Sequence, residues 1–212
     1  MVGVDISRLM VAYAQSKAAQ TNILNARFLV GNLLEPLDFP DGTFDLVNAR
    51  FLVSVLQSGR WPGFVRECVR LAKPGGWIRL TEFDNPGQTN KAACQQFADW
   101  TIEACRRGGY GFAMTPEARL MTPMLEPLLR EAGCQKIMQQ AHTLDFSFGS
   151  ELYASQRQNY RVAYKQAQPL FVRLGIAPQQ EIEAAYDEMV TQMQADDFQG
   201  TWSFLTVLGT RP

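Results

Sequence analysis

The residues able to do chemistry in this 212-residue chain stand at the ends of short apolar runs. Asp5 closes Val2-Gly3-Val4, Asn48-Ala49-Arg50 follow Phe44-Asp45-Leu46-Val47, and Glu82-Phe83-Asp84 end the run that begins at Trp77. If these runs are parallel strands, all three sets lie at one carboxyl edge, where ligands of open α/β sheets bind. A carboxylate at position 5 can accept from two hydroxyls at once; it equally suits the positive end of a helix beginning after Ser7. Arg50 can pair with a ligand carboxylate, or stand as a surface arginine. Glu82 and Asp84 could line an acceptor site, but a solvated strand end is the expected place for both acids. His142 falls in a further strand, where a structural histidine is expected ahead of a catalytic base. No Ser-His-Asp arrangement is apparent.

The elements that must position these residues follow from periodicity. Ser7 is a good N-cap, and Met10, Tyr13, Ala14 and Ala18 recur at helical spacing after it. Arg27 to Val30 reads as a second strand and Phe44 to Val47 as a third. Trp61, Phe64, Val65, Cys68, Val69 and Ala72 form a helical stripe, so a helix is predicted over 62–71, with Pro62 in its first turn. Lys73-Pro74-Gly75-Gly76 stops it, and 77–82 follows as a fourth strand. Helices are predicted around Ala93 to Ala104 and Met121 to Ala132, the start of the second left open by Pro123 and Pro127. Strands are predicted over 136–146 and 202–209. Two amphipathic helices lie between them, one carrying Tyr153, Tyr160, Tyr164, Ala167 and Phe171 and the other Ile182, Tyr186, Met189 and Met193. This alternation predicts a doubly wound, mostly parallel α/β sheet in one domain over 1–212, with cap segments at about 88–113 and 150–196.

Composition narrows the function. Twenty Lys and Arg against 21 Asp and Glu leave no excess basic charge, so no nucleic-acid partner is expected. Cys68, Cys94, Cys105 and Cys134 have no CxxC spacing and one histidine for company, so no metal site is expected and buried, hydrophobe-like cysteines are. No run approaches a membrane span and no signal peptide leads the chain, which reads as cytoplasmic.

Several landmarks fall in one order: the strand-end acid of Val2-Gly3-Val4-Asp5-Ile6-Ser7, Gly31-Asn32-Leu33, the turn Leu37-Asp38-Phe39-Pro40, Phe44-Asp45-Leu46-Val47, Leu71-Ala72-Lys73-Pro74-Gly75-Gly76-Trp77, and Trp202-Ser203-Phe204-Leu205-Thr206-Val207. In that order they resemble the class I S-adenosylmethionine-dependent methyltransferases, along nearly the whole chain and least in its helical segments. The resemblance implies a Rossmann-like sheet with an antiparallel last strand, S-adenosylmethionine as cofactor and a small-molecule acceptor. It implies that Asp5, with Ile6 beside it, holds the ribose, that Asn32 and Leu33 flank adenine, and that Asn48, Ala49 and Arg50 border the methionine portion. Asn32 stands where the family more often has Asp. Arg50, Phe83, Tyr153 and Tyr160 are candidates for the acceptor side, a partly apolar enclosure under the cap being the expectation and core packing of the same residues the alternative.

One departure from the family stands out. Its first strand ends in a glycine-rich loop through which the backbone approaches the methionine carboxylate, and no Gly-x-Gly segment precedes Asp5. That strand lies centrally in the family's sheet, between the strands at Val2 and Phe44. The expectation is therefore a chain lacking its first strand, by a truncated or mis-started reading frame, with a partner chain or a closed-over sheet as alternatives. Three functions compete: a methyltransferase fragment whose complete parent is active, a non-catalytic module that keeps the fold without the cofactor, and a nicotinamide-dependent dehydrogenase, which shares the strand-end acid.

Overall fold

A computed structural model describes residues 1–112 and 120–212. The chain opens with a parallel β–α–β unit: β1 (Val2–Asp5), α1 (Arg8–Gln20) and β2 (Arg27–Val30), with Val2 opposite Arg27 and Asp5 opposite Val30. Ser7 caps α1, its Oγ accepting from the Met10 N–H at 3.3 Å. Only Val11 and Ala18 of α1 are buried, while Leu9 and Tyr13 stand exposed.

A larger sheet carries β3 (Phe44–Arg50), β4 (Ala72–Glu82), β5 (Gln88–Thr89), β6 (Gln135–Asp145) and β7 (Gly200–Thr210). Strand β3 runs parallel to β4, and β7 is inserted antiparallel between β4 and β6. Among the described residues β1 and β2 form a sheet of their own, and β3 pairs only with β4. The sheet is thus in two parts, divided between the strands at Val2 and Phe44.

Strand β4 begins five residues before the predicted start at 77. The Pro74-Gly75 turn does not end the pairing but bulges it: the register jumps from Phe44 opposite Ala72 to Leu46 opposite Trp77. Gly75, at φ +74°, donates to the Arg211 carbonyl, and Arg211 donates back to Gly76. The prolines near 125 also resolve simply. Pro123 lies in a 3-10 turn over Thr122–Met124, and Pro127 falls in the first turn of α4 (Leu125–Glu131), where a missing N–H costs no helical bond.

Two apolar clusters hold these elements. Helix α2 (Trp61–Leu71) buries Trp61, Phe64, Val65 and Cys68 in a cluster that includes Ile78, Leu80 and Val207 of the sheet and Leu125, Leu128 and Leu129 of α4. Each such large side chain contributes about 1.5–3 kcal/mol on burial. The second cluster lies among α3 (Ala92–Arg107), α5 (Tyr153–Arg173) and α6 (Gln179–Gln192), where Phe97, Tyr164, Phe171, Ile182 and Met189 meet. These helices occupy the predicted cap segments, of which residue 113 lies outside the described residues. All four cysteines are free and buried. No helix among the described residues is long and apolar enough to cross a membrane.

Arg70 of α2 fastens the segment between the two sheets. Its guanidinium donates to the Leu37 and Phe39 carbonyls and pairs with Glu67 and Asp41, while Glu67 also accepts from the Leu37 N–H at 2.8 Å. Arg70 beside Glu67 holds that carboxyl below its usual range. We expect Arg70→Ala to lower stability in chemical denaturation, because two carbonyls and Glu67 lose their donor together. A cost near zero would show the segment to be held by its backbone alone.

Candidate active site

Asp5 ends β1 with its carboxylate exposed; Oδ1 accepts from the Ser7 N–H at 2.7 Å. Both readings of this acid are therefore compatible in one place, since a single oxygen serves the helix entry and leaves the other facing outward. Ile6 beside it is 66% exposed. Asn32 follows β2, its Oδ1 accepting from the Leu34 N–H at 3.0 Å and its amide donating to Glu35. A carbonyl oxygen has a second lone pair, so Asn32 keeps one acceptor site. Leu33 packs against the core cluster of the larger sheet.

At the end of β3, Asn48 and Ala49 turn to opposite faces. The Asn48 Oδ1 accepts from the Arg79 Nε at 2.8 Å, and Ala49 packs against the core. Arg50 is exposed, and its guanidinium lies 4.8 Å from the centre of the Phe51 ring. Phe51 itself adopts φ +57°, a conformation that costs an L-residue about 1–2 kcal/mol.

Glu82 explains how that conformation is held, and it corrects the solvated placement expected for the acids of β4. It is 1% exposed, and its carboxylate accepts from the N–H groups of Leu52 at 2.6 Å and Val53 at 3.3 Å. Burial pushes its pKa up to about 7 against the opposing pull of those two amides. Asp84 is likewise engaged: one oxygen accepts from the N–H groups of Leu120, Met121 and Thr122, and the other from the Thr122 hydroxyl. The end of β4 thus organises two loops, one carboxylate for each.

Phe83 joins Phe51, Trp202 and Phe204 in an aromatic group with ring centres 4.9–5.8 Å apart. Tyr153, Tyr160 and Tyr164 share one side of α5, as their spacing predicts, and that side faces the helical core. The Tyr153 hydroxyl donates to the Met193 carbonyl, whereas Tyr160 reaches the strand-end loop and donates to the Pro86 carbonyl at 2.8 Å. Beside that loop a cavity of about 810 Å³ opens, with Asp84, Gly87, Gln95, His142 and Ser203 on its wall. His142 stacks on Phe204 with ring centres 5.1 Å apart.

Two structural roles, those of Glu82 and Gly87, escaped the sequence reading. Glu82 had a legible signal, because Ile78, Leu80 and Glu82 alternate onto one strand face whose first two members are buried. Gly87 had none: its φ of +147° and the Tyr160 hydroxyl over it belong to tertiary structure. Among the described residues no cluster of metal-ligating side chains occurs.

The fold is of the Rossmann-like α/β type seen in methyltransferase structures. A family model described as a methyltransferase domain matches residues 1–76. Over 85 residues the chain is 34% identical to an uncharacterized methyltransferase, YcgJ of Bacillus subtilis, covering 40% of this chain and 32% of that protein. Over 78 residues it is 37% identical to a phosphatidylethanolamine N-methyltransferase of Cereibacter sphaeroides, covering 37% of each. The matched segments span between 21% and 37% of the length of the curated relatives. The crystal structure of the YcgJ protein superposes on 99% of this chain and 81% of its own, with a TM-score of 0.56 at 17% identity. A phosphoethanolamine N-methyltransferase of Haemonchus contortus, solved with S-adenosylhomocysteine and phosphomonomethylethanolamine, covers the whole chain with 43% of its own length, at a TM-score of 0.52 and 18% identity. Residues 1–76 are thus similar to a methyltransferase domain, and the chain shares its fold along its length with the YcgJ structure.

Proposed function

We propose that this chain transfers a methyl group from S-adenosylmethionine to a small-molecule acceptor. The observation that carries the reading is the row of unspent groups at the strand ends: an outward oxygen on Asp5, an acceptor site on Asn32 and the guanidinium of Arg50, which has no carboxylate partner among the described residues. Asp5 would accept from the ribose hydroxyls, Asn32 and Leu33 would border adenine, and Asn48, Ala49 and Arg50 the methionine portion. Phe83, Tyr153 and Tyr160 are assigned to the acceptor side, the two tyrosines by shaping the helical wall, because both hydroxyls are already committed.

When bound, S-adenosylmethionine supplies a methyl group already activated on a sulfonium. What the chain must add is alignment, which supplies much of a displacement's rate when the acceptor, methyl and sulfur are held in line. The rigid carboxyl edge serves that end: Glu82 fixes the loop after β3 and Asp84 the segment entering α4. The alternative, a fold retained without the cofactor, differs in one measurement. In calorimetry of S-adenosylhomocysteine with a version that carries the family's glycine-rich loop, Asp5→Ala should weaken binding by about 1.5–3 kcal/mol, the range for hydrogen bonds to a charged group. Unchanged affinity would remove Asp5 from the site, and no binding to a version that carries the glycine-rich loop would favour the non-catalytic alternative.

A further inference from the structure

Strand β6 stands at the edge of the larger sheet, and among the described residues it pairs only with β7. In an antiparallel pair, residues that exchange both backbone bonds with their neighbour alternate with residues whose N–H and C=O point away from it. The phase is fixed just past the end of β6. There the Phe146 N–H donates to the Gly200 carbonyl at 2.9 Å and the Phe148 N–H to the Phe198 carbonyl. The register is unbroken from Met138 opposite Leu208 to Asp145 opposite Thr201, so Met138, Gln140, His142 and Leu144 share the phase of Phe146 and bond to β7. The N–H and C=O groups of Gln139, Ala141 and Thr143 therefore point outward, and no described residue bonds to them.

Such a row of unspent backbone groups is a template for another strand, and edges are usually blunted by charge, proline or a bulge. On β6 those devices stand only at the ends. Lys136, at φ +47°, lies in the bulge between Gln135 and Met138, and Asp145 closes the strand. From Ile137 to Leu144 the chain has no proline, glycine, lysine, arginine or acid.

This run is complementary to itself. Turn a second copy of β6 about a two-fold axis at Ala141, perpendicular to the sheet. Ala141 then opposes Ala141, and Gln139 opposes Thr143 in both directions, so every outward N–H meets an outward C=O. Moving the axis by one residue spoils the match. One way it calls on Ile137 beside the bulge; the other way it calls on Asp145, whose carbonyl already accepts from the Ser150 hydroxyl. With the axis at Ala141, Met138, which is 51% exposed, is covered by Leu144 of the second copy, and Gln140 faces His142. Lys136 of one copy falls at the same end of the pair as Asp145 of the other, so the flanking charges are opposite in sign.

We propose that this chain associates with a second copy of itself along β6, antiparallel about Ala141, joining the two larger sheets into one. Sedimentation velocity of the 212-residue chain over a concentration series should show a reversible monomer–dimer equilibrium. Ala141 is exposed, so a charge placed there leaves the core untouched. Ala141→Lys and Ala141→Glu should each weaken the dimer by about tenfold or more, because like charges then meet on the axis. An equimolar mixture of the two should recover it. Amide exchange of the unaltered chain, read by NMR, is the second measurement. The N–H groups of Gln139, Ala141 and Thr143 should gain protection as the concentration rises, while those of Gln140 and His142 are protected throughout. A chain that stays monomeric at its highest soluble concentration overturns the proposal, and so does a dimer in which Gln139, Ala141 and Thr143 remain unprotected. A dimer indifferent to both charges, or folded charge variants that fail to recombine, places the contact elsewhere and overturns it too. Should either variant unfold, the exchange result on the unaltered chain decides.

Discussion

As the pH rises from 4.5 to 7, Glu82 alone should remove about 3 kcal/mol of folding stability, and Glu82→Gln should abolish that slope. The ordinary glutamate value is 4.5 and burial raises this one to about 7. Below 4.5 the group is protonated whether the chain is folded or not. Between the two values the unfolded chain releases its proton and the folded chain keeps it, so stability falls with rising pH and levels off above 7. Each unit of difference corresponds to about 1.4 kcal/mol. Carboxyls held low by arginine or lysine, such as Glu67 and Glu103, act in the opposite sense and lose their contribution as the pH falls. The comparison must therefore be between wild type and Glu82→Gln across the range, by chemical denaturation. The glutamine variant should start less stable, since its one acceptor oxygen cannot serve both the Leu52 and Val53 amides. Parallel curves for the two proteins would show that Glu82 titrates as an exposed acid and does not hold the loop by burial.

Gly87→Ala should cost about 3 kcal/mol or more. A Cβ there would stand 1.7 Å from the Tyr160 hydroxyl oxygen and 3.0 Å from its ring carbon, on a backbone at φ +147° that L-residues rarely adopt. The loop or α5 has to yield, and the bond from Tyr160 to the Pro86 carbonyl breaks with it. Tyr160→Phe alone should cost only about 1 kcal/mol, the net worth of that bond. In the Tyr160→Phe background Gly87→Ala should cost less than in wild type, because the nearest clashing atom is gone. Thermal melts of the four proteins measure this coupling. Strict additivity would place the tyrosine away from the glycine in solution.

Much of the fold was legible because its signals are local. The helical stripe from Trp61 to Leu71 and the alternation from Ile78 to Leu80 each name a buried face without reference to any other segment. Spacing alone put Tyr153, Tyr160 and Tyr164 on one side of α5; where that side points depended on α3 and α6, which the spacing does not encode. The start of β4 was misplaced because the Pro74-Gly75 turn looks terminal, and only the distant Arg211 shows that the pairing continues through it. At the candidate site the residue types at Asp5 and Arg50 could be read from strand ends. The roles of Glu82 and Asp84 could not, since both bind backbone amides about 30 or more residues away, at Leu52 and Val53 and at Leu120 to Thr122.

The strand order has a consequence for the birth of the molecule. Strand β7 lies between β4 and β6 yet follows both in the chain, opposing Leu80 with Val207 and Gln140 with Thr206. During synthesis β4 and β6 leave the ribosome well before the strand that joins them. Until then the apolar side of β4, with Ile78 and Leu80, has α2 against it but no neighbour at its far edge. Pairings so distant in sequence are slow to close, and an unpaired edge in a half-made chain invites association with other chains. The nascent protein thus spends most of its synthesis as an open half-sheet, and its yield in a cell depends on what shields that edge while β7 is still being made.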